Sequence, residues 1–565
     1  MPITSSILEV AKAHPDQLAI VGADQRLTYG ELVADSRSLF AAVDSLHGAQ
    51  SAPPHPAPET EGIPITAVSL TSAFETSRII AGLAGFRAVS ATIDPRWPLN
   101  HQVGVITTTG IGVVISDSTD LAEALASSAW TGTVVTLAQL RELEADVAAG
   151  ALTTAAIGET TTTPPTVRDD AEPFLMLFSS GTTSNPKAFI KTRRQYRDNV
   201  AVSSAHLEPF PGVATLAPGP VSYSLTLYAV IECLATGGSV HVADEFDPFT
   251  MGARIADEAI TRIVAVPAVV RAIAEAARRS PERFRGLDLV VTGGANLPAS
   301  IRSSLGEVLP ETRLISYYGA AEIGFIGDSR DGDGTWITVY DTIGAQVRDD
   351  DGMRLPDGEI GTLWIEAAAC SYGYVTGTTE DVLRGPDGWA SVGDQGRIEN
   401  GLLQLAGRAG DIAITGGHKV SLPEVERAFE AFSLVGTAGD SGVTGDGGSA
   451  GDCGSTGDGG SAGDGRPRLG EVCAIALPDD SLGSIVALVI EVGSGPDAAA
   501  TMQGTPDKAA LPDKAALLAH ARAQLAPQFV PRRFYTLDRL PRTVGGKIRR
   551  AETVELIMSG QGTRL

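Results

Sequence analysis

Between residues 174 and 325, short apolar runs alternate with longer amphipathic stretches. The apolar runs are FLMLF (174–178), SVHVAD (239–244), RIVAVP (262–267), LDLVVTGG (287–294) and RLISYYG (313–319). Runs this short read as buried strands, and the helix-length stretches between them are the crossovers that parallel strands require. The alternation therefore predicts an α/β region built on a largely parallel sheet. Two earlier runs, PITAVSL (64–70) and AVSATID (88–94), flank the helix-like FETSRIIAGLAGF and extend the pattern towards the N-terminus. LTYGEL (27–32) reads as a turn feeding a helix. The proline-rich stretch 49–62 reads as a surface loop, and threonine-rich 152–168 as a spacer.

From about 335 to 408 the pattern changes. TLWIEA, ASVGDQGRI and GLLQLAGR are short strands separated by Gly and Asp turns, which suits a small, mostly antiparallel β unit. Residues 411–565 mix helices and strands and are expected to form a separate α+β domain. A chain of 565 residues accommodates one large domain and a smaller partner with a core that needs no disulfides. Cys233, Cys370, Cys453 and Cys473 lack CxxC or zinc spacing and read as reduced thiols of a cytoplasmic protein. No signal peptide or membrane-spanning run is apparent.

One segment is of low complexity. From Gly439 to Gly465 an aspartate recurs every six residues, at 440, 446, 452, 458 and 464. Calcium-binding Gly/Asp repeats stack with a nine-residue unit, so this run is expected to be a disordered insertion at about 439–465. A duplication, PDKAALPDKAA (506–516), is expected just ahead of or within a helix start.

The net charge of −25 argues against nucleic-acid and membrane-surface binding, whose partners are anionic. Small anions can still be met by a few placed cations and backbone amides. The stretch FLMLFSSGTTSNPKAFI (174–190) offers such a place. Ser179, Ser180, Gly181, Thr182, Thr183 and Ser184 carry hydroxyls and accessible N–H groups, and Lys187 adds a charge. Both are suited to phosphate oxygens. The alternative is a polar strand-to-helix turn. No GxxxxGK[ST] motif is present.

Further stretches point the same way: VVTGGANLP (290–298), ISYYGAAEIGF (315–325), WASVGDQGRI (389–398), GRAGDIAITGGHKVSLPEVE (407–426) and LPRTVGGKIRR (540–550). With LTYGEL and IDPRWP (93–98), their order and spacing resemble the adenylate-forming superfamily across nearly the whole chain. That superfamily includes acyl-CoA synthetases, nonribosomal peptide synthetase adenylation domains and luciferases. The resemblance implies α/β layers with a β-barrel subdomain in a large N-terminal AMP-binding domain (1–409), hinged to a small mobile α+β C-terminal domain (410–565). It implies ATP, Mg2+ and CoA as cofactors and co-substrates, and a reaction in two half-steps through an acyl-adenylate.

Roles follow from the resemblance. The 179–187 loop would wrap the β- and γ-phosphates. Glu322 would help hold magnesium, its alternative being a free surface glutamate. Tyr318 and Gly319 would lie against adenine, with Gly294, Ala295 and Asn296 lining the other face, whereas Tyr317 could be an ordinary core aromatic. Asp394 would accept both ribose hydroxyls, a task matched to two carboxylate oxygens. Arg408 would sit near ribose and phosphate, Gly410 would be the hinge, and Lys547 would bridge the carboxylate and the α-phosphate. Lys547 could instead be a solvated turn lysine. Residues 530–550 carry seven basic residues and one acidic one, a positive patch for ATP or the CoA phosphates, or simply a solvated face.

The chain departs from the family pattern in places. Ser184 and Ala188 stand where glycines are common, Ala321 replaces a hydroxyl residue, and Val392 replaces threonine. Tyr223 and Ser224 fall at the acyl-pocket gate. GPVSYSLTLY (219–228) lacks the early aspartate that pairs with an α-ammonium, which disfavours an amino acid and suits a fatty or other nonpolar acid. No carrier module follows residue 565, so free CoA is the expected acceptor. The alternatives are a stand-alone ligase loading a carrier protein and a degenerate nucleotide-binding protein.

Overall fold

The computed structural model describes residues 2–150, 163–179, 186–294, 297–330, 335–415, 418–429, 432, 471–479, 482–492, 513–525, 527–542 and 547–565. The chain divides into two compact units, Met1–Leu405 and Ala406–Leu565.

The first unit holds two sheets. In the larger, five parallel strands run in the order Leu18–Val21, Ser239–Val242, Ala214–Ala217, Arg262–Ala265 and Leu289–Thr292, then a sixth, Arg313–Ala320. Their pairings are parallel throughout, as the alternation predicts. Beyond Arg313–Ala320 the same sheet continues antiparallel through Gly324–Ser329 and Trp336–Val339, and then through Leu402–Arg408, Asp394–Glu399, Gly361–Glu366 and Gly344–Arg348. The expected antiparallel unit therefore exists as a continuation of the main sheet. The second sheet has the order Thr133–Val135, Val113–Ser116, Ile65–Ser69, Val89–Thr92, Pro173–Ser179, Lys187–Thr192, parallel except for its last pair.

Two local expectations need correction. LTYGEL is not a simple turn: Arg26–Thr28 pairs antiparallel with Leu18–Val21. Thr28 then caps the helix Tyr29–Gly48, accepting from Glu31 N at 3.2 Å while Glu31 receives Thr28 N at 2.9 Å. This reciprocal capping box is legible as T-x-x-E. Nor is 49–62 wholly a surface loop. Its turn Pro58–Thr60 buries Ala57 and Thr60, because Ala57 N donates to Thr109 O at 3.1 Å.

The second unit pairs His418–Ser421, Ile412–Thr415, Gly483–Glu491, Arg533–Leu537 and Thr563–Arg564 in one sheet, with Val472–Asp479 on Gly483–Glu491. Helices Leu422–Phe429, Lys514–Gln524 and Arg550–Met558 complete it. Asp513, from the second PDKAA copy, caps Lys514–Gln524 by accepting Ala515 N. The repeat at 439–465 lies outside the described residues, as do residues 506–512. Among the described cysteines, Cys233, Cys370 and Cys473 are free and buried.

The first unit also buries a charge cluster. Arg78, on the helix Ala73–Leu83, is fully enclosed and bonds Asp35 at 2.6 Å, Glu75 at 2.9 Å and Glu144 at 2.8 Å. Arg141 returns to Glu75 at 2.7 Å and Glu144 at 3.0 Å. Three carboxylates around one guanidinium tie three helices together. Removing the enclosed cation leaves three carboxylates to share the half-exposed Arg141, so Arg78→Met is expected to destabilise the protein by about 3–5 kcal/mol. Urea denaturation followed by fluorescence checks this.

Candidate active site

The parallel strands Leu289–Thr292 and Arg313–Ala320 pair in register, Thr292 opposite Ser316. Ligands of open α/β sheets bind beyond the carboxyl ends of such strands, and Gly294, Tyr318, Gly319 and Glu322 lie at or just past these ends. Gly293 and Gly294 follow the first strand. A Cβ at Gly293 would lie 2.5 Å from the Tyr317 ring, and Gly294 has φ +77°. Only glycine suits both positions.

Tyr317 and Tyr318 are consecutive in a strand, so they face opposite sides. Tyr317 packs edge-on against Phe325, ring centres 4.9 Å apart, and is the core aromatic that the sequence left open. Tyr318 donates its hydroxyl to Asp394 Oδ2 at 2.7 Å. Four strand pairings separate the two residues' strands in the sheet order. Laid flat, that is roughly 19 Å at the usual strand spacing. The antiparallel half must therefore curl over to return Asp394 to Tyr318.

Glu322 sits in the turn between Arg313–Ala320 and Gly324–Ser329 and is 6% exposed. It is thus not a free surface glutamate. Its Oε1 accepts the Tyr374 hydroxyl at 3.2 Å. Its main-chain oxygen accepts Lys191 Nζ and Ser371 N, both at 2.8 Å. The turn is tight: a Cβ at Gly319 would lie 2.6 Å from Gly324 O, and Gly324 has φ +111°. Burial pulls the Lys191 ammonium down to about 8, against the opposing pull of Cys370 and Glu322.

Ser179 pairs with Lys187 across antiparallel strands. The hydroxyl-rich stretch is accordingly followed by a strand, Lys187–Thr192, and not by a helix. Ser180, Gly181, Thr182, Thr183 and Ser184 lie outside the described residues, as do Ala295 and Asn296. Lys187 pairs with Asp381, and its Nζ stands 5.4 Å from the Tyr374 ring centre. Ala188 is buried, and its carbonyl accepts Val375 N at 2.7 Å.

Tyr223 and Ser224 begin the helix Ser224–Thr236. A Cβ at Gly294 would approach Leu225 Cδ1 to 3.8 Å, which places this helix start beside the end of Leu289–Thr292. Asp94, buried, holds Arg96 through two contacts of 2.9 Å, and the Arg96 guanidinium lies 5.8 Å from the Tyr223 ring centre. The main chain of Ala321 accepts the Tyr228 hydroxyl at 2.8 Å, a contact independent of its side chain. Val392 packs against the cluster around Leu363 and Ala390.

In the second unit, Arg408 N donates to Asp411 Oδ2 at 3.0 Å. Gly410 lies in the single turn Ala409–Asp411 facing open space, whereas Gly407 has φ +121° and leaves only 2.8 Å for a Cβ against Asp411. In this conformation the glycine requirement falls on Gly407. Lys547 is exposed beside the bridge Arg542–Ile548. The basic stretch is not a uniform patch: Arg550 pairs with Asp411 at 2.7 Å and Glu426 at 2.5 Å, and Arg542 with Glu491 at 2.9 Å.

Lys191, Tyr374 and the Asp94–Arg96 pair were not singled out as site residues in the sequence. A lysine inside the strand run KAFIKT was the available signal for the first.

The AMP-binding enzyme family matches residues 7–375, and the chain belongs to that family. It is 24% identical over 559 residues to an uncharacterized acyl–CoA ligase, YhfT, of Bacillus subtilis, covering 98% of this chain and 97% of that protein. It is 23% identical to the fatty acid–[acyl-carrier-protein] ligase MmaC of Mycobacterium marinum, covering 97% and 96%. ATP-bound MatB from Rhodopseudomonas palustris superposes with a TM-score of 0.76 at 20% identity, covering 98% of each chain. That likeness bears out the expected adenylate-forming fold. The expectation of an AMP-forming acid–thiol ligase is met by family membership. Among the described residues, no helix is long and apolar enough to cross a membrane.

The Tyr223 phenol is pushed up to about 12, first by burial and then by Asp94, with Arg96 opposing. An unfolded tyrosine titrates near 10. The group's contribution to stability is therefore full below pH 10 and is lost as pH rises towards 12. Tyr223→Phe should flatten that part of the pH–stability curve, measured by urea denaturation between pH 9 and 12.

Proposed function

We propose that this enzyme joins a nonpolar carboxylic acid to the thiol of CoA through an acyl-adenylate. The observation that carries the reading is the Tyr318–Asp394 hydrogen bond. It presents an aromatic face and a carboxylate side by side at the end of the parallel strands, the complement of a nucleoside's base and ribose. One Asp394 oxygen takes the tyrosine hydroxyl. A carboxylate's two oxygens match the two hydroxyls of a ribose.

Each of the other groups is assigned one task. The loop 179–187, with Lys187, binds the β- and γ-phosphates and orients pyrophosphate as the leaving group. Arg408 is assigned to the ribose and phosphate, and Gly410 to the freedom of the segment that carries it. Gly294 is assigned to the adenine. Lys547 places a cation on the substrate carboxylate and the α-phosphate, where charge accumulates in the transition state.

Glu322 is a single buried carboxylate, and among the described residues no group of three His, Cys, Asp or Glu side chains could hold a metal ion. That donor set suits Mg2+, which keeps water and takes substrate phosphates beside one or two carboxylates. Glu322 would hold it. When bound, the ion neutralises triphosphate charge.

Two features support a nonpolar acid. The helix Ser224–Thr236 begins with the uncharged run Leu225, Thr226, Leu227 and Tyr228, all buried. The carboxylate nearest Tyr223 is Asp94, already neutralised by Arg96 through two bonds, so it is not available to an α-ammonium group. A carrier-protein thiol is the second acceptor to weigh, because a relative matching along almost its whole length is a carrier-protein ligase.

ATP–pyrophosphate exchange against a panel of carboxylic acids tests the reading. Exchange should appear with aliphatic acids and be absent with α-amino acids. ATP binding without exchange for any acid would overturn it. Lys547→Ala should cost about 100- to 1000-fold in exchange. Its thioester formation from supplied acyl-adenylate should fall far less. Product analysis with CoA and with an acyl carrier protein decides the acceptor.

A further inference from the structure

Lys191 lies in a strand whose neighbours Phe189 and Ile190 are apolar and buried, and it is itself 2% exposed. A buried ammonium costs several kcal/mol to desolvate. An aliphatic side chain would avoid that cost. What the lysine does instead is bridge two main-chain oxygens, Glu322 O at 2.8 Å and Ala369 O at 2.7 Å.

The two oxygens belong to different elements. Glu322 stands in the turn after Arg313–Ala320. Ala369 opens a strap, residues 369–375, whose carbonyls are held one after another. Cys370 O accepts Gln195 Nε2 at 2.9 Å and Arg384 Nη2 at 2.7 Å, and Ser371 O accepts Arg384 Nε at 2.8 Å. Ser371 N returns to Glu322 O, and Val375 N is fixed by Ala188 O. The strap ends at Tyr374, whose hydroxyl meets Glu322 Oε1. Lys191 thus ties the main chain of Glu322 to the start of the strap that leads to Tyr374, and the Tyr374 hydroxyl meets the carboxylate.

We propose that Lys191 and Tyr374 are positioning residues for the Glu322 carboxylate, the first fixing its main chain and the second its oxygen. The inference rests on the reading of Glu322 as the magnesium and phosphate residue. Tyr374 also carries Lys187 over its ring, so one side chain sets both a carboxylate and the phosphate-loop cation. Groups that orient a metal ligand are typically worth 10- to 100-fold in metal affinity or activity.

The test compares Lys191→Met, Lys191→Arg, Tyr374→Phe and Glu322→Gln. Calorimetric titration with ATP, with and without Mg2+, measures the magnesium enhancement of binding apart from turnover. Pyrophosphate exchange gives the Mg2+ concentration for half-maximal rate. Lys191→Met and Tyr374→Phe should each raise that concentration about tenfold or more. They should also shrink the calorimetric enhancement, while KM for the acid stays within about twofold. Lys191→Arg, which can still donate to two carbonyls, should restore part of the loss. Unchanged magnesium dependence in Tyr374→Phe overturns the inference even if Lys191→Met does not fold. Glu322→Gln separates the two levels. If it retains wild-type magnesium enhancement, the reading of Glu322 itself fails. If it loses the enhancement while Lys191→Met and Tyr374→Phe keep it, only the positioning inference fails.

Discussion

The strand Arg313–Ala320 has a parallel neighbour on one side and an antiparallel one on the other. Most of the first unit's site geometry depends on that change of direction. The parallel side supplies adjacent strand ends, with Gly293 against the Tyr317 ring and Tyr318 on the opposite face. The antiparallel side needs only a short turn to come back, and that turn holds Glu322. Because the sheet then curls through four more strands, Asp394 returns to within a hydrogen bond of Tyr318. One strand therefore gathers an aromatic face, a nearby carboxylate and, through its turn, a second, buried carboxylate.

The sequence made much of this legible, for physical reasons that differ by element. SVHVAD, RIVAVP and LDLVVTGG are short and rich in β-branched residues, and each became a largely buried parallel strand, while RLISYYG became the half-buried strand at which the sheet changes direction. The strap 369–375 and the curl of the sheet were not legible. Both depend on long-range pairing, and a one-dimensional pattern contains no term for which distant strand curls back. The direction of the chain after SSGTTSNPK was missed because a polar turn looks alike whether a helix or a strand follows. Register decided it, through Ser179 opposite Lys187. Arg78 and Lys191 were missed for a third reason: buried cations break the rule that charge lies outside, and only their partners explain them.

The second unit shows how a sequence position and its physical requirement can come apart. GRAGD carries two glycines around Arg408, and the more suggestive one, Gly410, stands in an ordinary turn with open space beside it. Gly407 carries the strained dihedral. Asp411 then receives Arg408 N on one oxygen and Arg550 Nε on the other. Arg550 in turn holds Glu426 and the Ala474 carbonyl. Asp411 is thus fastened to its own unit's C-terminal helix and sheet.

A chain with a net charge of −25 that binds a triphosphate must present cations without holding them too firmly. The first unit handles its cations in two ways. Arg78 and Arg262 are enclosed with carboxylates, and their charge is spent inside the fold. Lys187 is paired with an Asp381 that is largely exposed. An ion pair open to water is worth only about 0–1 kcal/mol, so a phosphate can take Lys187 from Asp381 at little cost, while none could take Arg78. Lys191 is the exception that clarifies the rule. It is buried and bonded to carbonyls, so its charge faces neither solvent nor substrate. Its contribution is geometric: it fixes the main chain from which a carboxylate must point.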